Sequence, residues 1–250
     1  NTAKRLAGFD VWSGDNRQFI VDMVKPLIAE TAAKREGPID VVAAACADTA
    51  VLATTVHAAW LAGEEAFQRS QYTVVDLCRT PLILCEEYGS RHGLRVTTGV
   101  ADLLTTEEQF PADVIVLHNF LSFVGNDEHD SLLRRLGGWL KEGGKIVIWN
   151  MLAPTDKRDA VATRWEGQIA EVKARVEDGR IEINEPKEAF FTRLGRDIYG
   201  ARPSAQQFTH LSEVTDLIAA AGLAVRSGDE LSQVRRGKTY RYAKIVAERR

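Results

Sequence analysis

The distribution of apolar positions along the chain predicts alternating helices and strands. From 16 to 31, Phe19, Ile20, Met23, Val24, Leu27 and Ile28 recur at helical spacing, and Gly37 and Pro38 then break the pattern. The run Ile39-Asp40-Val41-Val42-Ala43-Ala44-Ala45 is short and apolar, as expected of a buried parallel strand. Asp48 and Thr49 are N-cap residues for a helix through Val51, Leu52, Val56 and Trp60. The alternation then repeats: a strand over 72–77, a helix over 81–92, strands over 95–99 and 113–117, a helix over 130–141 ended by Gly143-Gly144, and a strand over 145–149. Such alternation implies βαβ units and a parallel sheet covered on both faces.

Beyond Asn150 the pattern changes. Residues 156–177 read as a charge-rich helix with Val161, Trp165, Ile169, Val172 and Val176 on one face, followed by an irregular stretch to about 207. A helix over 211–221 and two strands, near 223–227 and 240–247, close the chain. The expected organisation is a helical flap over 1–36, a nucleoside-binding core over 37–150, a lid insertion over 151–207, and a last helix with the final core strands over 208–250. The apolar stripe with Trp165 suits either the sheet or a partner subunit, so a homodimer stays open.

Composition narrows the partners. The chain of 250 residues carries a net charge of −3, which leaves no electrostatic footprint for nucleic acid. The basic C-terminal stretch with Arg235, Arg236, Lys238, Arg241 and Lys244 reads as a solvated face of the last strands, with an anionic-substrate patch as the alternative. Cys46, Cys78 and Cys85 are too few and wrongly spaced for a disulfide framework or a zinc site, and their apolar neighbours predict reduced, buried thiols. No metal is expected. No apolar run approaches the roughly 20 residues of a membrane span, and a cytoplasmic protein is the default expectation. His57, His92, His129 and His210 sit at helical positions or helix starts that suit surface or capping roles, whereas Trp60, Trp139 and Trp165 suit packing.

In an open parallel sheet, ligands bind beyond the carboxyl ends of the strands. Those ends carry Ala45-Cys46-Ala47-Asp48-Thr49, Asp76, Asp102, His118-Asn119-Phe120 and Trp149-Asn150. A carboxylate at the tip of the second strand suits a ribose diol, because two hydroxyl donors meet two acceptor oxygens. The first turn holds no glycine, although a pyrophosphate would need glycines there to approach the backbone. A phosphate-free nucleoside with a sulfonium tolerates alanine, which favours S-adenosylmethionine over a nicotinamide dinucleotide.

Order and spacing resemble the class I S-adenosylmethionine-dependent methyltransferases. "IDVVAAACADTAVLA" stands at that family's first strand and glycine motif, "YTVVDL" at its acidic second strand, and "VTTGVADLL" at its third. "ADVIVLHNFLSF" matches the fourth, "LKEGGKIVI" the turn into the fifth, and "HLSEVTDLIAAAGLAV" the last helix and following strand. The resemblance implies an α/β, Rossmann-like fold with a mostly parallel seven-stranded sheet, helices on both faces and a helical lid insertion. It further implies that Ala45, Cys46 and Ala47 line the methionine and ribose side of the cofactor, and that Asp76 holds the ribose with Leu77 packing on adenine. Ala101 and Asp102 would flank the adenine edge, with His118 and Asn119 beside the sulfonium. Trp12, in "FDVWSGDN", resembles part of a closing flap, where an aromatic face favours the sulfonium. Tyr199 would be a lid phenol.

Ala43 replaces a usual acidic residue, and Ala45, Ala47 and Thr49 replace three glycines. The implied activity is methyl transfer to a small molecule, with alignment and water exclusion the main tasks of the protein. His118 is the candidate base, alongside Asn119 and Tyr199 as catalytic candidates. The relaxed glycine motif also admits attack at the γ-carbon of the methionyl group. That reaction gives aminocarboxypropyl transfer, or ring closure to azetidine-2-carboxylate with adenosylmethionine as sole substrate; Asn119, Asn150 or Tyr199 would then accept from the amine. A non-catalytic interaction module is the third alternative.

Overall fold

A computed structural model describes residues 14–46, 48–153, 170, 172–183, 185–192, 208–235 and 238–250. Its sheet has seven strands in the order β3-β2-β1-β4-β5-β7-β6. They are β1 Ile39–Ala44, β2 Ser70–Asp76, β3 Val96–Val100, β4 Ala112–His118, β5 Leu140–Leu152, β6 Leu223–Arg235 and β7 Lys238–Arg249. β1 to β5 pair in parallel, whereas β7 runs antiparallel to both β5 and β6. This mixed, mostly parallel sheet with helices on both faces is the architecture expected from the alternating pattern.

The apolar alternation within each strand divides the core in two. Val41, Ala43, Val74, Val114, Val116, Val147 and Trp149 face α1 Gly14–Lys34 and α2 Ala50–Ala62, burying Phe19, Ile20, Val24, Ile28, Leu52 and Val56. Val42, Ala44, Val75, Ile115, Leu117, Ile146 and Ile148 face the other way. There they meet Leu132, Leu133, Leu136 and Trp139 of α5 His129–Trp139, and Val214 and Ile218 of α6 Leu211–Ala220. The period of two in the strands therefore sends consecutive side chains into different helical layers. The short α3 Glu64–Arg69 leads into β2, and α4 Arg79–Arg91 links β2 to β3.

Three boundaries differ from expectation. α5 stops at Trp139, and β5 starts at Leu140, because Gly143 turns the backbone at φ 73° and the register slips between Ala112 and Val114. A Cβ at Gly144 would meet the Ala112 carbonyl oxygen at 2.8 Å, so only glycine lets the two strands approach. β6 and β7 are longer than the two predicted strands and form one hairpin, paired from Leu223↔Arg249 to Arg235↔Lys238. Cross-strand pairing holds this polar stretch extended where its hydrophobic pattern is weak.

Within 170–192, Val172, Val176 and Phe190 form a small separate apolar cluster with Ile181, Ile183 and Phe191. Val172 and Val176 are thus on the buried stripe predicted for 156–177; Val161, Trp165 and Ile169 of that stripe lie outside the described residues. Trp60 departs from its packing role: it is 60% exposed and stacks on His57 at 5.8 Å. Cys78 is exposed as well, whereas Cys46 and Cys85 are buried as expected. Among the described residues, no helix is long and apolar enough to cross a membrane, and no group of three His, Cys, Asp or Glu side chains is placed to hold a metal.

Candidate functional site

Strand order reverses between β1 and β4, and both strands end in a strained residue. Ala45, one residue past β1, has φ 56°, and Asn119, one residue past β4, has φ 52°. The left-handed region is costly for residues with a Cβ, by roughly 1–2 kcal/mol, and such strain collects where function demands it. The backbone holds both in place. Ala45 N–H donates to the Val75 carbonyl at 2.8 Å, and Asn119 N–H donates to the Trp149 carbonyl at 2.5 Å.

The registers Ala44↔Val75 and Ala44↔Leu117 set Ala45 between Asp76 on one side and His118 on the other. With strands about 4.8 Å apart, Asp76 and His118 are separated by roughly 10 Å of crevice. Asp76 is half-buried. Its Oδ1 accepts from Cys78 N–H at 2.7 Å, while no other partner among the described residues engages the carboxylate. Burial pushes its pKa above the ordinary 3.8, with the Cys78 N–H acting in the opposite direction. Leu77 follows, 67% exposed, and Val100, which pairs with Asp76 in the sheet, is 56% exposed. An acceptor carboxylate beside a small apolar shelf has the chemistry to hold a ribose diol and a purine, so these residues fit an adenosine. The Ala45 turn offers backbone and short side chains, with no phosphate cradle.

The remaining predicted residues divide into groups. Asp102 is half-buried, and its Oδ1 caps its own turn by accepting from Leu104 N–H at 2.9 Å. Ala101 has its side chain in the core, leaving its backbone at the edge, where its N–H donates to the Asp76 carbonyl at 3.1 Å. Cys46 is fully buried. Burial, with Cys85, Asp76 and Asp48 nearby, raises its thiol pKa far up; Cys85 is pushed to about 11 by the same desolvation, with Asp48 and Asp76 adding to it. Both thiols are neutral at physiological pH, and neither is a nucleophile.

His118 is half-buried and lies flat on the Trp149 indole, at 4.4 Å between centroids and 11° between planes. Asn119 is a surprise. Its Oδ1 accepts from Met151 N–H at 3.0 Å, so its side chain locks the tip of β4 to β5. Asn150 is likewise committed: it is fully buried, and its Nδ2 donates to Ser122 Oγ at 2.9 Å. Trp12, Ala47 and Tyr199 lie outside the described residues.

One positioning residue, His129, escaped the sequence pattern, and a second, Asn150, is committed to the protein in place of the ligand-facing role expected of it. Buried His129 contacts the Leu121 carbonyl through Nε2 at 3.0 Å and meets the Phe208 ring edge-on at 5.4 Å, in place of the capping or solvent role expected of it. Together with Asn150 it clamps the turn Leu121–Phe123 that follows the β4 tip. Only the polar residue at the end of the very apolar β5 run hinted at this clamp; His129 sits at an ordinary helix start.

A family model described as "Methyltransferase domain" matches residues 53–148, from within α2 to β5. Among solved structures, the chain is 16% identical to the mitomycin 7-O-methyltransferase MmcR, with a TM-score of 0.51 over 91% of this chain and 54% of that one. An O-methyltransferase family protein from Burkholderia thailandensis is 16% identical at TM-score 0.54, covering 93% and 58%. CalO1, a methyltransferase in calicheamicin biosynthesis, in its SAH-bound form, is 16% identical at TM-score 0.52, covering 90% and 53%. At these identities the likeness establishes the fold, and the chain spans a little over half the length of those proteins. No curated protein matches the chain.

Proposed function

We propose that the chain is a class I S-adenosylmethionine-dependent methyltransferase, a reading supported by the methyltransferase-domain match over residues 53–148 and by the fold, and that it transfers a methyl group to a small-molecule acceptor held at the carboxyl edge of the sheet. The observation that carries this reading is Asp76: a half-buried acceptor at the tip of β2, with one oxygen unengaged by any described residue, beside the apolar shelf of Leu77 and Val100. Bound there, adenosylmethionine supplies a methyl group already activated by its sulfonium.

The protein then has three tasks. Asp76 holds the ribose hydroxyls, and Leu77 and Val100 cover the purine. The clamped turn Leu121–Phe123 and the locked β4 tip keep His118 at a fixed distance from the ribose end. His118 takes the proton as the acceptor's nucleophilic atom bonds to the methyl carbon and the carbon–sulfur bond breaks, its electron pair staying on sulfur. Alignment and exclusion of water supply most of the acceleration. Ala47 completes the cofactor turn, Trp12 the flap and Tyr199 the lid in this reading, and Asn119 acts through Met151 as a positioning residue. Residues 1–36 and 151–207 frame the acceptor.

The test starts with the protein and adenosylmethionine alone, followed by mass analysis of nucleoside products. The expected result is tight binding without turnover, and adenosylhomocysteine once an acceptor is added. Methylthioadenosine formed without any acceptor would move the assignment to attack at the γ-carbon. Absence of both product and binding would leave a non-catalytic module.

A further inference from the structure

On the face of the sheet covered by α1, the carboxyl edge carries a stacked aromatic row. His118 lies over Trp149, and Trp149 lies over Tyr242 at 4.4 Å and 25°. The pairings His118↔Trp149 and Met151↔Tyr242 produce the row, because they bring these rings to one face at neighbouring levels. Trp149 is 5% exposed and Tyr242 3%. Yet the Trp149 Nε1–H, buried, meets no acceptor among the described residues. An unsatisfied buried donor costs about 1–3 kcal/mol, and a phenylalanine would keep the stack without that cost.

The Trp139 indole N–H is also unmatched, but that ring packs edge-on to Phe110 in the opposite core layer, beneath α5. Trp149 stands instead one strand from the switch crevice, and its backbone carbonyl holds the strained Asn119. Both of its faces are occupied, by His118 and Tyr242, so the buried edge that carries the N–H is the one left for a partner, which must displace what covers it.

We propose that the Trp149 indole N–H is a substrate-binding donor. It receives an oxygen of a planar aromatic acceptor, a phenol or an oxo-bearing heteroaromatic, whose ring lies beside the stacked row. Near-parallel rings favour a flat molecule at their edge, and aromatic contacts add about 0.5–1.5 kcal/mol beyond simple burial. The proposal rests on the methyltransferase reading above and names the acceptor class for the same site.

The experiment uses the full chain saturated with S-adenosylhomocysteine and titrated calorimetrically with 2-naphthol, 4-quinolone and the saturated decahydro-2-naphthol. At least one aromatic probe is expected to bind, at least fivefold more tightly than the saturated one. Trp149→Phe should weaken that probe about fivefold to tenfold, the worth of one hydrogen bond, with adenosylhomocysteine affinity unchanged within twofold. In the unmutated protein, the Trp149 indole proton resonance should move downfield on probe addition, which keeps the test decisive should the variant not fold. Equal probe binding by Trp149→Phe, an unmoved resonance, no aromatic binding, or equal affinity for the saturated probe would each overturn the proposal. Failure to bind adenosylhomocysteine at all would instead sink the cofactor reading beneath it.

Discussion

The two edges of the sheet are built on opposite rules. At the amino edge, Asp113 is 4% exposed and fully engaged. It accepts from Asp40 N–H at 2.8 Å, pairs with Arg35, and shares Lys141 at 3.4 Å, while Lys141 also pairs with Asp40. This cluster ties the start of β1 to the start of β4 and to the segments that follow α1 and α5. At the carboxyl edge of the sheet stand two residues at positive φ after β1 and β4, a half-buried carboxylate with one bond at the tip of β2, exposed Leu77 and Val100, and in β5 a buried indole N–H without a partner among the described residues. The amino edge commits its buried carboxylate to three partners, although the Arg35 Nε beside it is buried without one among the described residues. The other leaves capacity for a ligand, and the strain persists because the surrounding strands hold it in place.

If that division is right, mutations at the two edges should separate stability from binding. The largest effect belongs to Asp113→Ala, which leaves Arg35 and Lys141 facing a partly buried site. It should cost about 3–5 kcal/mol of unfolding free energy in urea titrations, with adenosylmethionine affinity per folded molecule unchanged. A loss below about 1 kcal/mol would break the contrast.

Asp76→Ala should do the reverse, weakening adenosylmethionine roughly 10- to 100-fold in calorimetry for two lost charge-assisted bonds, with little change in melting temperature. The pH dependence sharpens this. Because the folded pKa of Asp76 is raised above 3.8, its own contribution to stability is present at acid pH and is lost as pH rises through the raised value. Asp76→Asn should therefore make the ligand-free protein more stable at neutral pH. Nucleoside affinity in the unmutated protein should fall on acidification at a higher pH than an ordinary aspartate would dictate.

Asn119→Ala keeps the strained backbone but removes the bond to Met151 N–H. About 1 kcal/mol of stability should be lost, with a larger change in catalytic rate than in cofactor affinity if the β4 tip positions His118. The smallest effect is expected at Ala45→Gly. Relief of left-handed strain, set against the greater chain entropy of glycine, should stabilise the fold by roughly 0.5–1 kcal/mol. Destabilisation there would mean that the Cβ of Ala45 packs usefully and that the strain argument fails at that position.

Much of this was readable from residues alone. Apolar runs of five to seven, separated by amphipathic stretches, specify strands buried on both faces and helices with one buried stripe, because burial of apolar area is local in pattern and dominates the energetics. That logic yielded the βαβ order and placed Asp76 and His118 at strand ends. Strand β5 and the long β6–β7 hairpin were harder to delimit, since Gly143-Gly144 and a polar extended stretch acquire their shape from the strands they pair with.

What only the tertiary structure decided is which polar side chains remain available. Asn119, Asn150 and His129 carry the same functional groups as any catalytic candidate, yet distant backbone atoms of Met151, Leu121 and their neighbours consume them. Trp149, in contrast, reads only as a strand-end residue in the sequence and emerges with a buried, unmatched donor. Hydrogen bonding is satisfied between residues that meet only in three dimensions. The sequence therefore determined the layers of this protein and the strand tips that face a ligand, whereas the balance of spent and unspent donors at those tips was set by packing.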